Sequence, residues 1–208
     1  MKFLIADDHA IVRKGLAQIL CDEFPDAQVK EVMNSNQVLE ETRREPWDVI
    51  LLDISMPGRN GIETLKQLRA EGVKSPILML SMHPEDQYGV RVLKAGASGF
   101  LSKDSATDEL LIAVHRVLSG RKYISASVAE KLAESVGGEL KKEPHETLSD
   151  REMQVLQMIA SGKTVSEIGD ELSLSVNTIS TYRSRLLEKL SLSNNAELTR
   201  YAIDNGLA

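Results

Sequence analysis

Val49-Ile50-Leu51-Leu52-Asp53-Ile54-Ser55-Met56-Pro57-Gly58-Arg59-Asn60-Gly61-Ile62-Glu63 is the stretch from which the fold can be read. Val49 to Leu52 are an unbroken apolar run. Pro57, Gly58 and Gly61 then interrupt the chain, and an amphipathic helical pattern begins near Ile62. The pattern is that of a strand buried on both faces, followed by a loop and a helix. Asp53 is the first polar residue after the run, so it ends a buried strand, where open parallel sheets place their ligands. Asn60, with Glu63 three residues on, is a good start for the helix. That leaves Asp53 free to ligate a cation or act as a nucleophile rather than cap a helix.

Working outward, residues 1–120 repeat this alternation five times. The runs are Phe3–Ala6, a weaker Gln28–Met33, Val49–Leu52, Ile77–Leu80 and Gly99–Leu101. The helical segments are about 10–22, 35–44, 60–71, 85–95 and 105–119. Strands alternating with helices imply a parallel sheet covered on both faces, with right-handed crossovers that bring the strand ends to one rim. Asp7 and Asp8 follow the first run, Asp53 the third, Ser81 the fourth, and Lys103 stands two residues past the fifth. Three carboxylates on one rim repel each other unless a cation neutralises them. All-oxygen ligands at a phosphate-handling site favour Mg²⁺. Lys103 supplies a mobile positive charge for a phosphoryl oxygen. The chemistry these residues suit is transfer of a phosphoryl group to an aspartate, giving a mixed anhydride.

Asp7-Asp8, Asp53 with Met56-Pro57 and Gly61, Ser81, and Phe100-Leu101-Ser102-Lys103 resemble the receiver domain of two-component response regulators. Five separated elements agree in order and spacing. The resemblance implies a doubly wound (βα)₅ fold with strand order 2-1-3-4-5 and Asp53 as phosphoacceptor. It implies that Asp7, Asp8, Asp53 and the backbone carbonyl of Ser55 hold Mg²⁺ and that Lys103 pairs with the phosphoryl group. It also makes Ser81 a switch whose hydroxyl moves to a phosphoryl oxygen, with Phe100 turning inward as it does so. In many receivers proline follows the lysine; here the residue is Asp104.

The C-terminal third is of another kind. Ser125–Val136 reads as a helix, Gly137-Gly138 stops it, and Glu139 to Pro144 is polar and breaker-rich, as in a linker. Residues 148–208 hold no strand-like run. Ser149 with Glu152, and Thr164 with Glu167, are capping boxes for two helices. Ser175 or Asn177 starts a third and Asn195 a fourth. Helices at 164–172 and 176–190 joined by Ser173-Leu174-Ser175 form a helix-turn-helix pattern. The exposed face of the third helix carries Asn177, Ser180, Thr181, Ser184, Arg185 and Lys189, with Arg183 nearby. Residues 175–190 have three basic and one acidic side chain, net +2, while residues 144–208 have six against nine, net −3. Small hydroxyls permit close approach to base edges, and Arg and Lys hold phosphates.

Leu148-Ser149-Asp150-Arg151-Glu152, Ile168-Gly169, Val176-Asn177-Thr178-Ile179 and Leu186–Leu192 are similar to the four-helix effector domain of the NarL/FixJ, or LuxR-type, response regulators. The resemblance implies that helix 176–190 enters the major groove, with Ser180, Thr181 and Ser184 at base-contacting positions and Thr178 among the DNA contacts. It implies dimerisation through the last helix, with Leu198, Tyr201 and Ala202 as candidate contacts; the same three residues could instead only pack that helix on its own core.

Bulk properties set the bounds. The chain has 208 residues, 42% hydrophobic and 27% charged, with net charge −6, which excludes a generally basic nucleic-acid coat. Its apolar stretches fall short of the roughly 18 residues of a membrane helix, and an N-terminus that turns acidic at Asp7 is unlike a secretory leader. Cys21, the one cysteine, excludes an internal disulfide, and its apolar helical setting suggests a core residue. The expectation is a cytoplasmic transcription regulator, not an enzyme. It comprises a receiver over 1–122, a helical and flexible linker over 123–146 and a DNA-binding domain over 147–208. A sensor histidine kinase, double-stranded DNA and a second copy of the chain are its expected partners. A phosphotransfer module that binds no DNA, and a phosphatase with an aspartate nucleophile, are the competing classes.

Overall fold

The structure, a computed structural model, describes residues 1–82, 85–136 and 143–207, without the side chains of residues 85–87, 106–108, 131 and 134–136. The expected stop at Gly137-Gly138 and the polar run to Lys142 lie outside the described residues, as do the first side chains of the 85–95 helix. The chain divides into two compact units, Met1–Gly138 and Glu139–Ala208.

The first unit alternates β1 (Lys2–Ala6), α1 (Ala10–Glu23), β2 (Gln28–Val32), α2 (Ser35–Arg44), β3 (Val49–Asp53), α3 (Gly61–Ala70), β4 (Ile77–Ser81), α4 (Glu85–Lys94), β5 (Gly99–Ser102), α5 (Ala106–Leu118) and α6 (Ala126–Val136). The five strands form one parallel sheet in the order β2-β1-β3-β4-β5. The long apolar runs become β3 and β4, which are buried at every position, whereas β2 lies at an edge and is mostly exposed. Alternation then sorts the side chains. Phe3, Ile5, Val49, Leu51, Leu78, Leu80 and Leu101 pack with Leu16 and Leu20 of α1 and Leu110, Ala113, Val114 and Val117 of α5.

Two expectations change in this unit. Cys21 is exposed, because the buried stripe of α1 runs Arg13, Leu16, Leu20 and Cys21 falls beside it. The helix expected in the linker belongs to the first unit: α6 packs on α4, and Val128 is buried. Tyr123, just before α6, bridges in parallel to Gly99 of β5, and its hydroxyl donates to Glu109 at 2.8 Å.

The second unit is all-α. A 3₁₀ turn (Pro144–Thr147) leads to α7 (Asp150–Ala160), α8 (Val165–Leu172), α9 (Val176–Leu190) and α10 (Asn195–Asp204). Both expected capping boxes form, at Ser149–Glu152 and Thr164–Glu167. Ser175 and Asn194 cap α9 and α10 through their side chains. The turn between α8 and α9 is tight: a Cβ on Gly169 would stand 2.9 Å from the Leu174 carbonyl oxygen. No helix among the described residues is long and apolar enough to cross a membrane.

Candidate functional site

Three local features build the rim of the sheet. Strand β3 delivers Asp53 as its last residue. Asn60 then caps α3, its Oδ1 accepting from the Ile62 and Glu63 amides at 2.7 and 3.3 Å. The start of α3 lies so close to the strand end that a Cβ on Gly61 would stand 2.0 Å from the Asp53 carbonyl oxygen. Only glycine fits there.

Asp7, Asp53 and Lys103 converge beneath this rim. The Lys103 ammonium lies 2.7 Å from Asp7 Oδ2 and 2.9 Å from Asp53 Oδ2, and all three side chains are almost fully buried. Burial pushes the Asp53 carboxyl up to about 6, the Lys103 charge opposing and the Asp7 charge adding to it. Burial also works against the Lys103 charge, but Asp53 and Asp7 outweigh it and hold the ammonium above its ordinary value. The Ser55 amide is near enough to favour the Asp53 carboxylate, yet Oδ1 is buried without a well-formed hydrogen bond.

The carboxylates of Asp7, Asp8 and Asp53 and the ring of His9 each offer a ligand atom, all within 4.8 Å of one another. A hard divalent ion fits this donor set. Three carboxylates supply oxygen ligands, and the buried Asp53 Oδ1 needs a positive partner. Ser55 lies in the turn two residues beyond Asp53. Ser81, the last residue of β4, is fully buried, and its carbonyl accepts from the Lys103 amide at 2.8 Å. Phe100, in β5, is 2% exposed.

Two residues at this rim escaped the sequence reading. His9 donates its amide to Asp7 Oδ1 at 2.8 Å and places Nδ1 3.1 Å from Asp7 Oδ1 and 2.8 Å from Asp8 Oδ1. Arg13 lies buried on the inner stripe of α1 and donates to the Asp7 carbonyl at 2.6 Å. An arginine in phase with Leu16 and Leu20 was the available signal, since a buried guanidinium must find a polar partner.

In the second unit, Asn177, Ser180, Thr181, Ser184 and Arg185 are exposed along α9, while Thr178 and Arg183 are half-buried. The Thr181 and Ser184 hydroxyls donate back to the carbonyls of Asn177 and Ser180, at 2.9 and 3.0 Å. Arg183 bonds Asn195. Lys189 is not a free cation: its ammonium lies 2.7 Å from Glu152 Oε2 on α7.

Leu198 and Ala202 are buried where α10 packs on α7, as the alternative reading, packing of the last helix on its own core, requires. The half-buried Tyr201 hydroxyl is 3.0 Å from His145 Nδ1 in the same unit. The exposed large apolar side chain on α10 is Ile203.

Comparison with known proteins agrees with both units. Residues 3–115 match the family model described as response regulator receiver domain, and residues 146–202 the model for bacterial regulatory proteins of the luxR family. The response regulator UvrY of Escherichia coli K12 is 37% identical over 205 residues, 98% of this chain and 94% of that protein. The structure of RcsB from Salmonella enterica serovar Typhimurium, bound to promoter rprA in the presence of the phosphomimetic BeF₃⁻, superimposes with a TM-score of 0.65 at 27% identity, covering 97% of this chain and 98% of that one. A structure of two RcsB dimers bound to two parallel DNAs gives 0.59 at 28% identity, covering 97% of each chain.

Proposed function

This chain belongs to the response regulators, with a receiver domain followed by a LuxR-type DNA-binding domain, and on that footing we propose that Mg²⁺-dependent phosphorylation of Asp53 by a partner histidine kinase switches its binding to DNA. The observation that carries the proposal is the convergence of Lys103 on the Asp7 and Asp53 carboxylates at a buried strand end.

Asp7, Asp8, Asp53 and the Ser55 carbonyl are the residues that would hold Mg²⁺. When bound, the ion would supply positive charge that offsets the charge developing on the phosphoryl oxygens. The remaining steps belong to the chain. An Asp53 carboxylate oxygen attacks the phosphorus of a phosphohistidine, the P–N bond breaks, and the imidazole leaves with the bonding pair. Lys103, already aimed at Asp53 Oδ2, pairs with a phosphoryl oxygen. The Ser81 hydroxyl turns to another, and the added charge biases a two-state equilibrium of the 85–105 face. The product regulator then pairs two copies on a two-fold DNA site, with α9 in the major groove. RcsB, bound to promoter DNA with a phosphoryl mimic and as dimers on DNA, supports this reading.

Acetyl phosphate with Mg²⁺ tests it. The full chain should take up one phosphoryl group, and Asp53→Asn should take up none. Labelling that survives the substitution refutes Asp53 as acceptor.

A further inference from the structure

The three carboxylates explain an oxygen-ligated ion, but they do not explain the ring beside them. His9 Nδ1 lies 3.1 Å from Asp7 Oδ1 and 2.8 Å from Asp8 Oδ1, in the loop between β1 and α1. The Lys103 ammonium takes Oδ2 of both Asp7 and Asp53. Asp53 Oδ1 is buried without a well-formed hydrogen bond, and Asp7 Oδ1 is the oxygen nearest the His9 ring. The His9 ring nitrogen and one oxygen from each of the three aspartates fit within 4.8 Å. Ligands about 2.1 Å from a shared ion stand at most about 4.2 Å apart, so closing by roughly half an ångström seats one ion among all four.

We infer that His9 Nδ1 is a fourth protein ligand of this cation site and tunes it toward divalent ions that accept imidazole nitrogen, such as Ni²⁺, Co²⁺ or Zn²⁺, rather than Mg²⁺ alone. The inference rests on the reading of the rim as a cation site. Imidazole suits these ions, whereas Mg²⁺ prefers carboxylate, carbonyl and water oxygen. On binding, the nitrogen–metal bond forms from the Nδ1 lone pair, any Nδ1 proton goes to solvent, and Nε2 keeps its hydrogen. The His9 amide donates to Asp7 Oδ1 at 2.8 Å, which keeps the His9 backbone next to that carboxylate. The competing account is that the ring only forms an ion pair with its neighbours and competes with any cation.

Titration calorimetry of the untagged full chain with Ni²⁺ and, separately, Mg²⁺ at one fixed pH distinguishes the two. Wild type, His9→Leu and Asp53→Asn are compared. The His9 side chain is 62% exposed, so its replacement leaves the fold intact. The expected result is that His9→Leu weakens Ni²⁺ at the single Asp53-dependent site by roughly tenfold or more, while Mg²⁺ binding there holds or strengthens. Equal weakening of both ions, no effect, or strengthening of both makes His9 a bystander or a competitor and overturns the inference. If Asp53→Asn alters neither ion's binding in any variant, the rim is no cation site and the underlying reading fails instead.

Discussion

Asp53 carries its charge at a cost, because burial and the Asp7 carboxylate both oppose it and Lys103 offsets them only in part. Its value of about 6 against 3.8 for a free aspartate fixes a sign. A carboxyl raised on folding contributes most stability when protonated in both states. The contribution is therefore full below the free value, falls as pH rises from about 4 through 6, and is constant above that. The rise from 3.8 to about 6 corresponds to at most about 3 kcal/mol. Without divalent ions, Asp53→Asn should raise the stability of the receiver unit at pH 7 to 8, and the gain should vanish toward pH 4. Urea unfolding of the two proteins across that range reads the difference directly. A gain that is the same at every pH would mean that ionisation of Asp53 is not its source.

At the scale of elements, α9 is both a recognition face and a structural strut. Its Lys189 reaches α7 across 37 residues of sequence and pairs with Glu152, which also accepts from the Ser149 amide and hydroxyl. Burial would raise the Glu152 carboxyl, but Lys189 and Ser149 outweigh it and hold it below the ordinary value. Arg185 is exposed on the same helix. The two cations should therefore part company on substitution. Arg185→Ala should reduce the salt dependence of duplex binding by about one unit of slope per bound copy. Lys189→Ala should change that slope less and lower the melting temperature of the second unit, by an amount equivalent to roughly 1–3 kcal/mol, because it leaves the buried Glu152 carboxylate without its cation. Binding isotherms at several salt concentrations, with thermal melts of each variant, separate the effects. Equal slopes lost by both variants would return Lys189 to the phosphate-contacting set.

Across the whole molecule, what the sequence disclosed and what it hid follow one physical line. Local signals were legible. The runs at Val49–Leu52 and Ile77–Leu80 are fully buried strands, and Ser149–Glu152 and Thr164–Glu167 are closed capping boxes, because each depends on residues within one turn or strand. Contacts between distant elements were not. Nothing near Lys189 announces Glu152, nothing near Leu198 announces α7, and Ser125–Val136 carries no mark of its place on α4. The switch itself is a long-range property, and thermodynamics constrains it without reference to any pathway. If beryllofluoride with Mg²⁺ tightens duplex binding by some factor, the duplex must tighten beryllofluoride binding by the same factor, since both ligands act on one equilibrium. Factors for such coupling run from about 5 to 150. The check is to titrate beryllofluoride into the full chain with and without saturating duplex, and duplex with and without beryllofluoride. Equal factors near or within that range are expected, and Asp53→Asn should bring both to one. A factor of one in the intact chain would leave α9 binding DNA independently of the receiver, whatever the chemistry at Asp53.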